Sequence, residues 1–215
     1  RTHVNFLQSV MEYRKLQSDN QNKEIIGFVD EDVIYGAGIL VYTRYAKLFY
    51  KCYVPRGFVF DYKDKKRLEE ATVELKKYLK KKKVAVLTMD PDIVLNYRDR
   101  DGNVIRTDHE VEENLKSTGY IQLPLTSGYD YNWQCRFVSV LDLKGKTEDE
   151  LFKEFSYHTR QDIRSCDKYC VKVRELGRKD LPFLDEMEKR TSERHQFESF
   201  DMSYYNHLYD SFGEE

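Results

Sequence analysis

Apolar positions along this chain alternate between two periods. Residues 25–29 and 33–42 are apolar and rich in β-branched side chains. Asp30-Glu31-Asp32 separates them, which predicts a hairpin with a loop longer than the tightest type. Residues 48–54 predict a third strand, ended by Pro55 and Gly57. From 64 to 81 the spacing becomes helical, with Leu68, Ala71, Leu75 and Leu79 on one stripe. VAVLTM, at 84–89, is an unbroken apolar run and predicts a strand covered on both faces. TDHE, at 107–110, fits a capping box before a short helix that Gly119 stops. Residues 137–143 predict one more strand.

A boundary falls near Gly145. TEDE, at 147–150, is a second capping-box pattern. Beyond it, Leu151, Phe155, Thr159 and Ile163 recur every four residues and predict a buried helix face. Residues 171–174 read as strand. Asp180 is placed to cap a helix whose Leu184, Met187 and Thr191 face inward. Asp201 is placed to cap a last helix with Met202, Tyr205 and Tyr209 on one side. The pattern is α/β (α+β), divided into residues 1–146 and 147–215. The second part has too few strands to make a sheet alone, so about half a domain is expected beyond it.

Composition narrows the class. The chain has 215 residues, and 40% hydrophobic content suffices for a core. Seventeen tyrosines and 14% aromatic residues argue against disorder. A formal charge of −2 excludes a generally cationic nucleic-acid binder, so any polyanion must meet a local patch. Such patches exist. Residues 63–83 hold ten Lys/Arg against four acids, and 151–180 hold eight against five. Residues 181–215 reverse this, with three against nine. No apolar run is long enough to span a membrane. The opening RTHVNFLQSVMEYRK lacks an initiator Met and an apolar signal-peptide segment, which reads as a trimmed, unexported chain. The four cysteines are then expected as thiols. Cys166, Cys170 and His158 fall short of the four ligands of a structural zinc site, so no metal is expected.

Candidate chemistry is local. Arg160, Arg164 and Lys168 stand at i, i+4 and i+8, a row suited to phosphates or simply a solvated face near a helix end. KKYLKKKK, at 76–83, could meet RNA or anionic lipid head groups, or could merely suit a helix C-terminus. Asp90 follows the apolar run in LTMDPD, where a carboxylate could position an amine or accept a proton; Asp-Pro also starts turns. Arg56 in YVPRGFVFDY could hold an anion or shape a bend. Gly36-Ala37-Gly38 reads as a bulge within a strand. The tyrosine-rich DMSYYNHLYDSF suits recognition or a half-buried helix face. Serine-hydrolase, zincin and P-loop motifs are absent.

Taken in order, NFLQSVMEYRK, YVPRGFVFDYKD, KKVAVLTMDPDI, WQCRFVSVLDLKGKTEDELFKEFSYHTRQDIRS and FLDEMEKRTSERHQF…YYNHL resemble the FemABX family of aminoacyl-tRNA-dependent peptidyltransferases. The resemblance implies a first acyl-CoA N-acyltransferase (GNAT)-like domain over 1–146 and the start of a second over 147–215. It implies transfer of an amino acid from aminoacyl-tRNA to the stem-peptide amine of a peptidoglycan precursor, either lipid II or UDP-MurNAc-pentapeptide. No cofactor or metal is implied. The location implied is cytoplasmic, in peripheral contact with the inner membrane face. Asp90 falls on the family's strand-end aspartate. Lys15 and Tyr204 match precursor-contacting positions, Arg56 lies in the Pro-Arg-Gly segment, and Phe200 stands where the family has an arginine. Arg160, Arg164 and Lys168 lie in the helix that opens the second domain, an expected tRNA contact. Two rivals are an acetyl-CoA-type N-acetyltransferase, for which no glycine-rich pyrophosphate loop is visible, and a non-catalytic precursor- or RNA-binding module.

Overall fold

The structure is a computed structural model that describes residues 5–124 and 134–213. It divides into two compact units. One holds the chain up to Gln134 together with the segment from Phe200, and the other is Cys135–Ser199. The last helix thus groups with the N-terminal unit, although it follows the sequence boundary near Gly145.

The N-terminal unit opens with helix α1 (Val10–Ser18), capped by the Ser9 hydroxyl, which accepts from the Glu12 amide. Strands β1 (Lys23–Asp30) and β2 (Val33–Tyr45) form the expected hairpin. Its connection is tighter than predicted: Asp30 pairs directly with Val33, leaving only Glu31-Asp32 in the turn. Glu31 meets that geometry with a left-handed φ of 52°. Strand β3 (Phe49–Val54) pairs antiparallel with β2, and the short β4 (Val59–Phe60) pairs with β2 at Gly36 and Ala37.

Helix α2 (Lys65–Lys81) carries the chain to β5 (Val84–Met89), which lies parallel to β3. Asp64 caps α2, and its buried residues are the predicted stripe plus Thr72. The stripe packs on Leu40, Cys52 and Val54, all fully buried, and on an aromatic cluster of Phe28, Phe58, Phe60 and Tyr62. Each leucine so buried contributes about 2 kcal/mol. Gly36 and Gly38 do not form the expected bulge. Both are register-paired residues, and the irregularity falls at the edge of the run: Phe28 pairs with Gly36 but Val29 with Ile34, so the extra residue is Tyr35, next to Gly36. A Cβ on Gly38 would sit 2.4 Å from the Phe58 ring, so glycine here admits an aromatic side chain.

Strand β5 ends the sheet path β1-β2-β3-β5 and is not covered on both faces, since Ala85 and Val86 are exposed. A small exposed hairpin of β6 (Asn96–Arg98) and β7 (Val104–Thr107) follows, which the apolar pattern did not signal. Helix α3 (Glu110–Ser117) starts without the predicted capping box. Its N-cap is His109, with no side-chain bond, and Asp108 accepts from the Glu110 amide instead. Gly119, at φ 92°, lies just past its end as expected.

In the second unit, residues 137–143 and 171–174 are not strands, and many of their apolar side chains are exposed. The capping box of Thr147 and Glu150 does open α4 (Glu148–Glu154). The predicted continuous helix breaks at Phe155, because the Ser156 hydroxyl accepts from the Thr159 amide and starts α5 (Tyr157–Lys168). That restart breaks the four-residue stripe, and Thr159 and Ile163 are exposed. Asp180 does not cap α6 (Leu181–His195). Its carboxylate is taken by Arg174 at 2.7 and 2.8 Å, which draws it well below the ordinary range. Met187 is exposed while Leu181, Asp185 and Ser192 are buried, so the inward face of α6 lies off the predicted one. Helix α7 (Met202–Phe212) is capped by Asp201 as expected, with Tyr205 buried, and it packs on α1.

Candidate functional site

Parallel strands β3 and β5 end side by side, and the polar groups of the N-terminal unit gather just past them. The chain leaves β3 through Pro55-Arg56-Gly57. Arg56 and Gly57 have left-handed φ values of 56° and 70°. A Cβ on Gly57 would lie 2.7 Å from the Tyr62 hydroxyl oxygen and 2.8 Å from Pro91 Cα, so only glycine fits. That Tyr62 hydroxyl accepts from the Phe58 amide at 2.7 Å.

Side chains from distant segments hold this turn. Gln8 donates to the Pro55 carbonyl and accepts from the Ile39 amide, both at 2.6 Å, and so ties the chain before α1 to two strands. Asp90, the first residue after β5, accepts from the Arg56 amide at 2.8 Å and from the Tyr53 hydroxyl at 2.9 Å through one oxygen. Its other oxygen accepts from the Gln134 amide at 3.0 Å. Burial, together with the Asp90 charge, pushes the Tyr53 pKa up, which keeps it a neutral donor. Asp92 donates its amide to the Arg56 carbonyl at 3.2 Å and accepts from the Asn5 side chain at 2.9 Å. A strained arginine backbone persists only where its surroundings over-determine it.

The turn borders an open cleft of about 570 Å³, lined among others by Asn5, Gln8, Arg56, Phe58, Asp92 and Tyr97. Lys63 lines it too, held at 2.9 Å from Asp108 and 2.6 Å from Glu110. Asp90 is not part of the lining; it acts on the cleft through the Arg56 backbone. Sequence reasoning picked out Arg56 and Asp90 but missed Asn5, Gln8, Tyr53 and Asp92. The signal was thin: polar residues flanking apolar segments, and a second Asp two places after the first.

Lys15 and Tyr204, far apart in sequence, meet where α1 packs on α7. The Lys15 ammonium lies 4.7 Å over the Tyr204 ring and 3.1 Å from Asp19. Asp19 also pairs with His207 at 2.7 Å. Burial raises the Asp19 pKa, but the hydrogen bonds from His207 and Lys15 outweigh it and leave it lowered. Lys15 is buried beside Glu12, whose own burial raises its pKa against the pull of Lys15. Phe200 stacks on Tyr204 with ring centroids 4.0 Å apart.

The basic row of the second unit lies on one helix, as its spacing requires. Arg160 spends its guanidinium on the Lys153 and Phe155 carbonyls at the end of α4. Arg164 stands over the Phe152 ring at 5.4 Å, and Lys168, at the helix end, over Tyr169 at 5.5 Å. Of KKYLKKKK, Lys77 pairs with Glu74 and Lys82 with Glu24. Among the described residues no cluster of three or more His, Cys, Asp or Glu is arranged to hold a metal, and no helix is long and apolar enough to cross a membrane.

These features define a mixed α/β protein with a polar cleft at the carboxyl ends of two parallel strands. The FemAB family model matches residues 1–215, and the chain belongs to that family. It is 30% identical over 187 residues to a lipid II:glycine glycyltransferase of Staphylococcus haemolyticus, covering 86% of this chain and 42% of that protein. It is 28% identical over 210 residues to the aminoacyltransferase FemA of Staphylococcus aureus, covering 96% and 50%. A crystal structure of FemX superposes with a TM-score of 0.77 at 23% identity, over 98% of this chain and 50% of that one, which establishes a shared fold. The chain thus spans about half the length of the curated relatives it matches.

Proposed function

We propose that the protein is an aminoacyltransferase that moves an amino acid from aminoacyl-tRNA to the stem-peptide amine of lipid II or UDP-MurNAc-pentapeptide, building an interpeptide bridge of peptidoglycan. The observation that carries this reading is the family match over the whole chain, joined to relatives named for such transfers. The antiparallel β1-β2-β3 order, with α2 leading to a parallel β5, supports a GNAT-like first domain. On this reading residues 1–146 supply most of that domain and 147–215 open a second. The work is done in the cytoplasm, at the inner membrane face when the acceptor is lipid-linked.

The chemistry joins an amine to an ester. An alkyl amine has an ordinary pKa of about 10.4, so it must lose a proton before attack. The tetrahedral intermediate needs N–H donors or cations at its oxyanion. Holding both substrates in register supplies much of the acceleration without a covalent enzyme intermediate. In this reading the cleft beside Arg56 takes the precursor, with Lys15 and Tyr204 as further contacts. The α5 row of Arg160, Arg164 and Lys168 meets the RNA. Asp90, engaged by three donors, orients the Arg56 turn.

The test incubates the protein with mixed charged tRNAs and each precursor in turn, with products read by mass spectrometry. One added aminoacyl residue on the stem peptide is expected. No transfer to either acceptor overturns the reading.

A further inference from the structure

The β2-β3 hairpin carries an uncovered apolar tip inside a cationic border. Its loop, Ala46-Lys47-Leu48, is set by a left-handed Ala46 at φ 57° and by Arg44, which donates to the Lys47 carbonyl at 3.1 Å. This fixed loop leaves Leu48 65% exposed, and the flanking Tyr45 and Phe49 are 47% and 48% exposed. Tyr45 and Phe49 are register partners, so with Leu48 they make one continuous patch. Lys51 extends over the Tyr45 ring at 4.7 Å.

The sheet register brings a second cationic segment to the same end. Tyr50 pairs with Val84, and its amide donates to the Lys83 carbonyl at 3.0 Å. The exposed run Lys80–Lys83 therefore ends beside the start of β3. Residues 43–55 and 75–89 contain no Asp or Glu. Glu24 of β1 reaches this end, where it pairs with Lys82 and also binds the Tyr42 hydroxyl. The remaining charge is strongly positive on a chain whose net charge is −2.

We infer that this end of the sheet is a membrane-docking surface, in which Leu48 and Phe49 enter the head-group region of an anionic bilayer while Arg44, Lys47, Lys51 and Lys80–Lys83 meet lipid phosphates. Amphipathic elements with basic borders bind interfaces in this way, through apolar area plus attraction to anionic lipid. Leu48, the most exposed of the three side chains, favours lipid over RNA, because base stacking gains little from a leucine, and the exposed Tyr45 and Phe49 make tRNA binding the alternative that the test must separate. The inference deepens the transferase reading, on which one acceptor is lipid-linked. Vesicle binding needs no turnover, so either reading can fail alone.

The experiment is co-sedimentation of the protein with vesicles of phosphatidylcholine alone or mixed with phosphatidylglycerol. Binding is expected to the mixed vesicles, and it should fall as salt rises from about 0.1 M to about 1 M, where the Debye length shrinks from about 10 Å to about 3 Å. Lys47→Gln with Lys51→Gln should lower the partition coefficient about fivefold per charge, or roughly 25-fold together. Leu48→Ser with Phe49→Ser should lower it by roughly tenfold or more per side chain. Lys80→Gln with Lys81→Gln, on the helix end, should reproduce the charge effect without touching the hairpin. Failure of the unaltered protein to bind mixed vesicles overturns the inference, and so does binding that none of the three pairs weakens. Charge variants that lose affinity for tRNA while keeping vesicle binding overturn it in favour of an RNA surface.

Discussion

Asp90 offers the sharpest test of how the cleft is built. Three donors converge on its carboxylate: the Arg56 amide and Tyr53 hydroxyl on one oxygen and the Gln134 amide on the other. Asp90→Ala removes this acceptor from all three. Hydrogen bonds to a charged acceptor are worth about 1.5–3 kcal/mol each when buried. Asp90 is only half-buried, so about 1 kcal/mol per bond is appropriate, a loss of about 3 kcal/mol. Asp90→Asn keeps an oxygen for Arg56 and Tyr53 and turns its amide toward the Gln134 N–H. One bond is lost, at about 1–1.5 kcal/mol. With a urea slope of about 2 kcal/mol per M, the midpoint should drop by roughly 1.5 M for Ala and by about 0.5–0.75 M for Asn. Hydrogen exchange at the Arg56 amide provides a local readout: protection should vanish in the Ala variant and survive in the Asn variant. Transfer activity separates orientation from proton abstraction. Removing a general base costs about 10²–10⁴ in rate, whereas a variant that still holds the turn should stay within about tenfold. Equal destabilisation by Ala and Asn would refute the hydrogen-bond reasoning. An Asn variant with intact Arg56 protection and a rate loss above 100-fold would make Asp90 the base.

Other predictions follow from the same geometry. Gly57→Ala puts a Cβ in left-handed backbone and against Tyr62 and Pro91, so a loss of about 2–4 kcal/mol is expected in thermal or urea unfolding; an unchanged midpoint contradicts the close approach. Asp19 has a lowered folded-state pKa, so its pairing with His207 and Lys15 stabilises above the ordinary value of 3.8 and is lost as pH falls through the folded value. Asp19→Asn should therefore cost stability at neutral pH and flatten the stability–pH curve below that range. Glu12 has the opposite sign: its raised pKa means stability present below 4.5 is lost as pH rises, so Glu12→Gln should stabilise at pH 7 and not at pH 3. Arg164→Ala with Lys168→Ala should weaken tRNA binding and reduce the slope of log affinity against log salt by roughly one to two; an unchanged slope returns α5 to a solvated face.

The fold was legible where a local rule sufficed. The α2 stripe, the Thr147–Glu150 capping box and the cap at Asp201 depend on a few neighbours in sequence, and each formed. Strands were less legible because a strand is defined by its partner. Residues 137–143 are as apolar as β1, yet no strand is formed there. Asp180 had the right identity for a cap, but an arginine six residues earlier took its carboxylate. The site was half legible. Arg56 and Asp90 stood out beside Gly and Pro, whereas Gln8 binds the Pro55 carbonyl from 47 residues away, a relation no spacing rule contains. Lys15 and Tyr204 carried no local signal that they would touch.

The return of α7 to α1 has a consequence for biogenesis. The Asp19–His207 pair spans 188 positions, so the first unit is interrupted in the chain by the second. Its β-sheet and α2 are complete early in synthesis, but the α1 face cannot close until translation has passed Phe212. During that interval Lys15 lacks the Tyr204 ring that it lies over. Contacts this distant in sequence form slowly, and a nascent chain stalled before Phe200 would present α1 as an open surface to chaperones.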